Sequence, residues 1–515
     1  MDWVLHGYLS YLGILIIAAA LLAWFNYKLQ RRYQFVPGPI GLPVLGNLHI
    51  FYWYRSAHRK LAEIAEIYGP VFSLRLGFSN VLVLSSIDSV KEALIQRGSD
   101  FSGRPSLDCL SFRRCRSAVA NHTFSPTYLR NKQATIAAIN ISLYNSQSYE
   151  LRVTSTAQEL IQKFMEFQDT YFDPQPLIKS AVAELIFKIL FGDELPHRYL
   201  LRAKDLAADF PYQEAFAVEN SFDFLFLPRL LSVDRIQRRT DSCYIELLRF
   251  IRDVNREQTL RNTRELPRSN CTSVACVLQD SRSRRNSLPL SKDKEPEQQN
   301  LDNETIDHLL AEMFVFGCGK VSATIAWLLV FIGRDGNLQQ RLHDEFNQKL
   351  STSHFFSLAD KTHLLLLEAT ILEVFRMCCP FPSAIPHSTI RETTVAGFKI
   401  PKNTPVFINL WACCRDSKYY RNPNVFYPFR FLDDKKEQIE TLISSPSFSL
   451  GERRCFGYGL AKGILFLLTG NLLNNFQFEL HKDVSVEENL TLNPRKFQLR
   501  AQLKNSTKLV TNHLQ

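Results

Sequence analysis

One of eleven cysteines stands among residues that would make its sulfur chemically special. In Phe448-Ser-Leu-Gly451-Glu-Arg453-Arg-Cys455-Phe-Gly457 a single thiol lies between an upstream Gly-x-Arg and a downstream Gly, and an apolar stretch, Leu460 to Leu473, follows. The pattern predicts a thiolate loop opening a buried helix. A Cys just before a helix N-terminus, with Arg453 and Arg454 beside it, meets positive potential from both, which favours the thiolate. An anionic sulfur suits haem iron, and as the single axial ligand it pushes electron density toward the metal and favours O–O cleavage. Gly451 and Gly457 allow the close backbone approach a flat macrocycle demands, and Arg453 can pair with a haem propionate. The competing reading is an ordinary buried cysteine, the commoner fate of a lone Cys. Five fixed identities at about one in twenty each over roughly 500 starts leave on the order of 10⁻⁴ chance matches, which favours the ligand.

A second feature is an ion pair at helical spacing. Glu373 and Arg376 lie three residues apart, so on a helix they share one face and form a charge-assisted pair. Alone, Glu-x-x-Arg is a weak signal, since an exposed pair of this kind contributes little to stability. It precedes Cys455 by 82 residues, with Pro428-Phe429-Arg430-Phe431 between them.

These residues need a scaffold. With 515 residues, 45% hydrophobic and 22% charged, the chain can bury a large core and is not broadly disordered. Thr305 to Ile332 predicts a long buried helix with an acidic first turn, interrupted by Gly317 and Gly319. A shorter helix carrying Glu373 ends near Met377. Val71 to Leu76, Val81 to Ser85, Thr394 to Ile400 and Thr404 to Asn409 predict short strands. The fold class is therefore mainly α with small β-sheets. From about Arg264 to Asn303 the chain turns polar and predicts a mobile loop.

Ahead of this body, Tyr8 to Phe25 is an almost unbroken apolar run, long enough with its Trp3 and Trp24 flanks to span a bilayer. A cleaved signal peptide is the alternative, but Asp2 precedes the run with no Lys or Arg, while Lys28, Arg31 and Arg32 follow it. The positive-inside rule makes the run a signal anchor and places everything after Lys28 in the cytosol. Residues 1–30 are read as a transmembrane helix, 31–44 as a basic, proline-rich hinge around Pro37-Gly-Pro39-Ile-Gly-Leu-Pro43, and 45–515 as the globular domain. Cytosolic placement predicts reduced core thiols, the adjacent pairs Cys378-Cys379 and Cys413-Cys414 included. It also leaves the sequons at Asn121, Asn140, Asn270, Asn303, Asn489 and Asn505 unused. A net charge of +10 without an aromatic-interleaved basic module points away from nucleic acid, toward a membrane surface or an acidic protein partner.

The Cys455 loop resembles that of the cytochrome P450 superfamily, Phe-x-x-Gly-x-Arg-x-Cys-x-Gly. The resemblance implies a P450 fold over the globular domain and haem b bound by Cys455, with Phe448, Gly451, Arg453 and Gly457 around the cofactor. It also implies that Glu373, Arg376 and Arg430 form a buried structural triad. Ile385 to Pro401 is similar to the corresponding stretch of animal family 1 enzymes, the aryl-hydrocarbon hydroxylase group, with neighbouring steroid hydroxylases also similar. In that resemblance His387 contacts a haem propionate; a satisfied core histidine is the alternative. Phe101-Ser-Gly-Arg-Pro105, Asn220-Ser-Phe-Asp-Phe and Val406-Phe-Ile-Asn-Leu-Trp411 extend the similarity over most of the chain from Pro37 onward.

Two departures bear on activity. The family carries a small-Gly-x-acid-Thr element above the iron, whose acid and hydroxyl relay protons. Aligned through Trp327, those positions are Phe316-Gly317-Cys318-Gly319-Lys320, so both acid and alcohol are missing. Ser322 lies about 200° around the helix from Lys320 and does not substitute. Lys320 is either a relay with a burial-lowered pKa or a lysine snorkelling to a polar edge. The second departure is a short connection after Pro105: Phe112 takes the place of the family's Trp and Arg116 that of its propionate-pairing Arg.

The resemblance implies a monooxygenase of the endoplasmic reticulum membrane, single-pass and monomeric with a cytosolic catalytic domain. It would take electrons from NADPH-cytochrome P450 reductase, with cytochrome b5 as a further partner, and insert one atom of O₂ into an apolar aromatic or steroid-like substrate. Arg453, Arg454 and Lys462 would help dock the acidic reductase. Gly319 and Lys320 keep two alternatives open: a haem-thiolate isomerase or dehydratase that needs no proton relay, and a haem-binding paralogue without turnover.

Overall fold

The computed structural model describes residues 36–42, 45–52, 57–77, 79–105, 119–120, 122–144, 146–167, 169–211, 233–265, 273–286, 301–350, 355–432, 446–481, 494 and 496–504, together with 13, 17–21, 24 and 28. Its strands are β1 (Val71–Leu76), β2 (Ser79–Leu84), β3 (Tyr171–Phe172), β4 (His387–Ser388), β5 (Thr393–Val395), β6 (Phe398–Ile400), β7 (Pro405–Ile408), β8 (Phe476–Leu480) and β9 (Leu499–Leu503). The helices that matter most below are α1 (Ala57–Tyr68), α2 (Pro126–Tyr144), α3 (Ser146–Met165), α4 (Gln175–Phe191), α5 (Asn303–Arg334), α6 (Leu365–Cys378) and α7 (Tyr458–Asn475). The architecture is mainly helical with small sheets. The chain divides into two compact units.

The first unit comprises Met1–Leu110, Ala217–Asp234 and Ser383–Cys413. Its sheet has the order β1-β2-β7-β4, with β2 and β7 parallel and the outer pairs antiparallel. Apolar residues of β1 and β2 face Leu61 and Ile64 of α1, so the amphipathic helix covers one face of the sheet. The β5–β6 hairpin turns at Ala396 and Gly397, both with positive φ, a backbone shape that matches the twist of the flanking strands. The buried Asp100 accepts hydrogen bonds from Arg391 (2.6 Å) and Thr393 (2.8 Å). Burial raises its pKa, but these bonds and the Arg391 charge outweigh burial and leave the carboxyl below its ordinary range.

The second unit comprises Ser111–Phe216, Arg235–Pro382 and Cys414–Gln515. Its axis is α5, which starts where Asp302 accepts a hydrogen bond from the Thr305 N–H at 2.7 Å and Glu304 meets the positive helix end. Beyond that turn the helix is apolar around most of its circumference and is enclosed by α4, α6 and α7. Among the described residues α5 alone is long and apolar enough to cross a membrane, and 83% of its most apolar stretch is buried inside the protein. A second sheet, β3-β9-β8, is joined to the helical body by Gln339, whose side chain donates to the Phe478 carbonyl and accepts from its N–H.

Two sequence expectations need correction. The polar stretch from 264 to 303 is not one loop: the preceding helix continues to Glu265, and Val274–Asn286 forms a further helix. The short apolar run Val274 to Leu278 is the reason, because these five residues are buried in the core. Residues 287–300 lie outside the described residues. Nor are all cysteines reduced, since Cys276 is disulfide-bonded. Cys318, Cys378, Cys379, Cys413 and Cys414 are free and buried.

Most of the apolar run from Tyr8 to Phe25 also lies outside the described residues. Those described, Gly13, residues 17–21 and Trp24, are helical, and Ile17, Leu21 and Trp24 are more than half exposed.

Candidate active site

The loop before α7 is shaped around its sulfur. Two residues with positive φ, Ser449 and Gly451, reverse the chain, and the Cys455 N–H donates to the Phe448 carbonyl at 2.9 Å. At φ +63° Gly451 occupies the left-handed region, which a side chain resists. The Phe448 ring is wedged edge-on between Phe375 of α6 and Tyr458 of α7, each 4.8 Å away, so the loop is anchored on both helices. Cys455 presents an accessible face, yet protein mass surrounds it on most sides and raises its thiol pKa. A Gly457 N–H aimed at the sulfur and the Arg454 charge pull the other way. A Cβ at Gly457 would lie 3.8 Å from that sulfur, an ordinary contact distance.

This donor set fits a haem iron. Among the described residues Cys455 is the one free cysteine classed as exposed, and it has an N–H to tune it. Among the described residues no cluster of three or more His, Cys, Asp or Glu side chains offers a rival metal site.

Arg453 departs from the expectation that it acts on the sulfur. It is buried, lies over the Tyr128 ring at 3.9 Å, and donates to the carbonyls of His122 (2.7 Å) and Val119 (3.2 Å). Tyr128 in turn donates to the Glu452 carbonyl at 2.7 Å. The basic docking patch is also thinner than expected. Lys462 is mostly buried and paired with Glu368 at 2.9 Å, and only Arg454 of the three cations is exposed.

Glu373, Arg376 and Arg430 come together. The Arg376 guanidinium meets Glu373 through two 2.8 Å bonds, both side chains are fully buried, and Arg430 reaches the same carboxylate at 3.2 Å. The Tyr427 N–H adds a fourth bond at 2.7 Å. Arg376 also donates to the carbonyls of Cys414 and Pro423, and Arg430 to those of Arg421 and Val425. Burial alone would lower the Arg376 pKa, but the bonds and charge of Glu373 outweigh it and raise the value. The network ties α6 to the segment from Cys414 to Arg430.

On α5, Met313, Phe316, Gly317 and Lys320 keep accessible surface while their neighbours from Ile306 to Ile332 are buried. Spacings of three and four place them on one face, a stripe about 10 Å long. It is apolar until Lys320. There the ammonium donates to the Pro380 carbonyl at 2.9 Å and sits 4.0 Å over the Phe381 ring, whose other contacts include Phe316 at 5.9 Å. Burial lowers the Lys320 pKa to about 7. Ser322 is turned back onto the Cys318 carbonyl at 2.6 Å. Gly319 is buried in the helix.

In the first unit, His387 is buried on β4 and bonded through Nδ1 to the Phe101 carbonyl at 2.8 Å. Arg116, Phe112, the connection after Pro105 and Asn220 to Phe224 lie outside the described residues.

One residue of this region was not singled out from sequence. The buried Glu312, two turns before Lys320, accepts hydrogen bonds from the N–H groups of Val119 and Ala120 at 3.1 and 3.2 Å. The only sequence signal is a carboxylate inside an apolar helix.

A mainly helical body carrying a lone thiol loop and a Glu-Arg-Arg network defines a haem-thiolate protein, and the family comparison agrees. Residues 36–503 match the cytochrome P450 family, and the chain belongs to it. It therefore carries haem b through an axial cysteine thiolate, and its class is that of the haem-thiolate monooxygenases. Similar proteins include cytochrome P450 2U1 of Bos taurus, 26% identical over 94% of this chain and 92% of the relative. Cytochrome P450 1A2 of Oryctolagus cuniculus is 29% identical over 89% of each chain. Cytochrome P450 2U1 of Mus musculus is 27% identical over 91% and 89%.

Proposed function

We propose that Cys455 is the axial thiolate and that the protein inserts one oxygen atom from O₂ into an apolar substrate. The observation that carries this reading is the Cys455 sulfur, accessible on one face and receiving a main-chain N–H on another. Haem, when bound, supplies oxygen activation; the chain supplies the rest. Phe448 and Gly451 hold the loop in shape, and the network of Glu373, Arg376 and Arg430 keeps α6 against it. Arg453, His387 and Arg116 are the candidate propionate partners, and Met313 and Phe316 give α5 an apolar wall for substrate.

The electron donor is NADPH-cytochrome P450 reductase, supported by family membership and by exposed Arg454 beside the loop, with cytochrome b5 as a second donor. Residues 1–30 anchor the monomer in the endoplasmic reticulum membrane, 31–44 form the hinge and 45–515 the cytosolic domain. The exposed apolar residues of the N-terminal helix support this placement.

Gly319 and Lys320 favour a second reading, an isomerase or dehydratase acting on an already oxygenated substrate. NADPH dependence separates the two, because that chemistry needs no external electrons. A paralogue without turnover predicts a normal haem spectrum and no product from any substrate. The primary test is a carbon-monoxide difference spectrum on membranes containing the protein. The thiolate-type band is expected for wild type and lost in Cys455→Ala; a band unchanged by that substitution removes the assignment.

A further inference from the structure

Two cysteines far apart in sequence are brought sulfur to sulfur beside the Glu-Arg network. Cys379 closes the C-terminal end of α6, in the left-handed region at φ +38°, and Cys414 follows 35 residues later. Their sulfurs are 3.9 Å apart, in hydrogen-bond contact, and both side chains are fully buried. The Cys414 sulfur is also 3.5 Å from the Ser447 hydroxyl, which donates to the Phe375 carbonyl at 3.0 Å and directly precedes Phe448 of the thiolate loop. The surroundings are cationic. Arg376 donates to the Cys414 carbonyl, Arg415 donates to the Met377 carbonyl at 2.7 Å, and the Lys320 ammonium interacts with Cys379 and Cys378. Contact with Cys379, joined by Ser447 and the charges of Arg415 and Arg376, outweighs burial and brings the Cys414 thiol down to about 7, while burial keeps that of Cys379 high. One sulfur is thus prepared as the nucleophile and the other holds the proton.

We propose that Cys379 and Cys414 are a dithiol modification site, oxidised by hydrogen peroxide to a disulfide that ties the end of α6 covalently to the segment its ion pairs already hold. The Cys414 thiolate attacks one peroxide oxygen: an S–O bond forms, the O–O bond breaks, and the leaving hydroxide takes up the proton that Cys414 released. Cys379 then attacks the same sulfur. The S–S bond forms, the S–O bond breaks, and the second hydroxide leaves as water with the Cys379 proton. The thiols lose two electrons and the peroxide gains them. Closure needs the sulfurs to approach by about 2 Å, within reach of rotation about the two Cα–Cβ bonds. Burial selects the oxidant. A molecule near the size of water enters when the end of α6 opens locally, whereas glutathione disulfide has no room to bring its own sulfurs into line.

The test uses full-length holoprotein, reduced, then exposed to hydrogen peroxide or to glutathione disulfide, with remaining thiols alkylated under denaturing conditions before peptide mass mapping. Peroxide is expected to join the Cys379 and Cys414 peptides with loss of two hydrogens, reversed by dithiothreitol. The link should form in wild type, Cys378→Ala and Cys413→Ala, and be lost in Cys379→Ala; glutathione disulfide should leave both thiols free. Oxidised wild type should also lose helicity at a higher urea midpoint than reduced, because the disulfide closes a 35-residue loop in the unfolded chain. A link that persists in Cys379→Ala or is lost in Cys378→Ala or Cys413→Ala overturns the proposal. So do thiols that stay free or pass to sulfonic acid unlinked, an equal response to glutathione disulfide, or an unmoved midpoint.

Discussion

Arg376 and Lys320 are two cations buried in the same compact unit, and burial acts on them with opposite net results. Around Arg376 the Glu373 carboxylate makes two 2.8 Å bonds and the pKa rises; around Lys320 the pKa falls to about 7. The Arg376 region is complete within the chain. It has a matching opposite charge, a second guanidinium on the same carboxylate, and main-chain carbonyls for the remaining donors. Around Lys320 the described neighbours include the Pro380 carbonyl, the Phe381 ring and the buried thiols Cys378 and Cys379. Burial is thus offset around one cation by a full opposite charge and acts on the other with a net lowering of its pKa.

The most drastic way to probe the first region is Cys455→Ala, expected to abolish the thiolate-type spectrum outright while leaving the far-UV circular dichroism of a helical protein. Next comes Arg376→Met, which strands the buried Glu373 carboxylate with one guanidinium fewer. It should destabilise by about 3–5 kcal/mol and release haem at lower denaturant, read by urea titration of the Soret band and of helicity. If it unfolded with the wild type, the network would be dispensable.

Lys320→Met should do the reverse. Below pH about 7 the lysine is charged in both folded and unfolded chains, so the burial cost is fully present. It is relieved as pH rises from about 7 toward the ordinary 10.5, where the unfolded chain still binds the proton and the folded one does not. Wild-type stability should therefore climb through that window. Lys320→Met should remove this contribution to the climb and be more stable at neutral pH by about 2–4 kcal/mol. Unfolding midpoints at pH 6.5 and 8.5 decide it, and a destabilised variant with unaltered pH dependence would erase the contrast with Arg376. The smallest effect belongs to Gly451→Ala, which places a side chain at φ +63° and should cost about 1–2 kcal/mol with the spectrum retained.

How much of this was legible beforehand depended on the distance over which partners lie. Glu373 and Arg376 share a helix turn, so spacing alone put them on one face. The Cys455 loop could be read for the same reason, its geometry being set within ten residues. The surroundings of Arg453 were not legible, because its partners Tyr128, Val119 and His122 lie more than 300 residues away and two of them act through main-chain carbonyls, which no side-chain pattern marks. Lys320 showed up as an anomaly, but its attachment to Pro380 and Phe381 crosses 60 residues and required coordinates. The helix at Val274–Asn286 was hidden by averaging, since five apolar residues inside a long polar window are enough to bury a turn and too few to shift its composition.

The clamp on Val119 bears on the entry to α2. Glu312 grips the N–H groups of residues 119 and 120, and Arg453 grips the carbonyl of 119. Main-chain groups of residues 119 and 120 are thus held by side chains of two separate elements. The entry to α2 is thereby held to α5 and to the thiolate loop together.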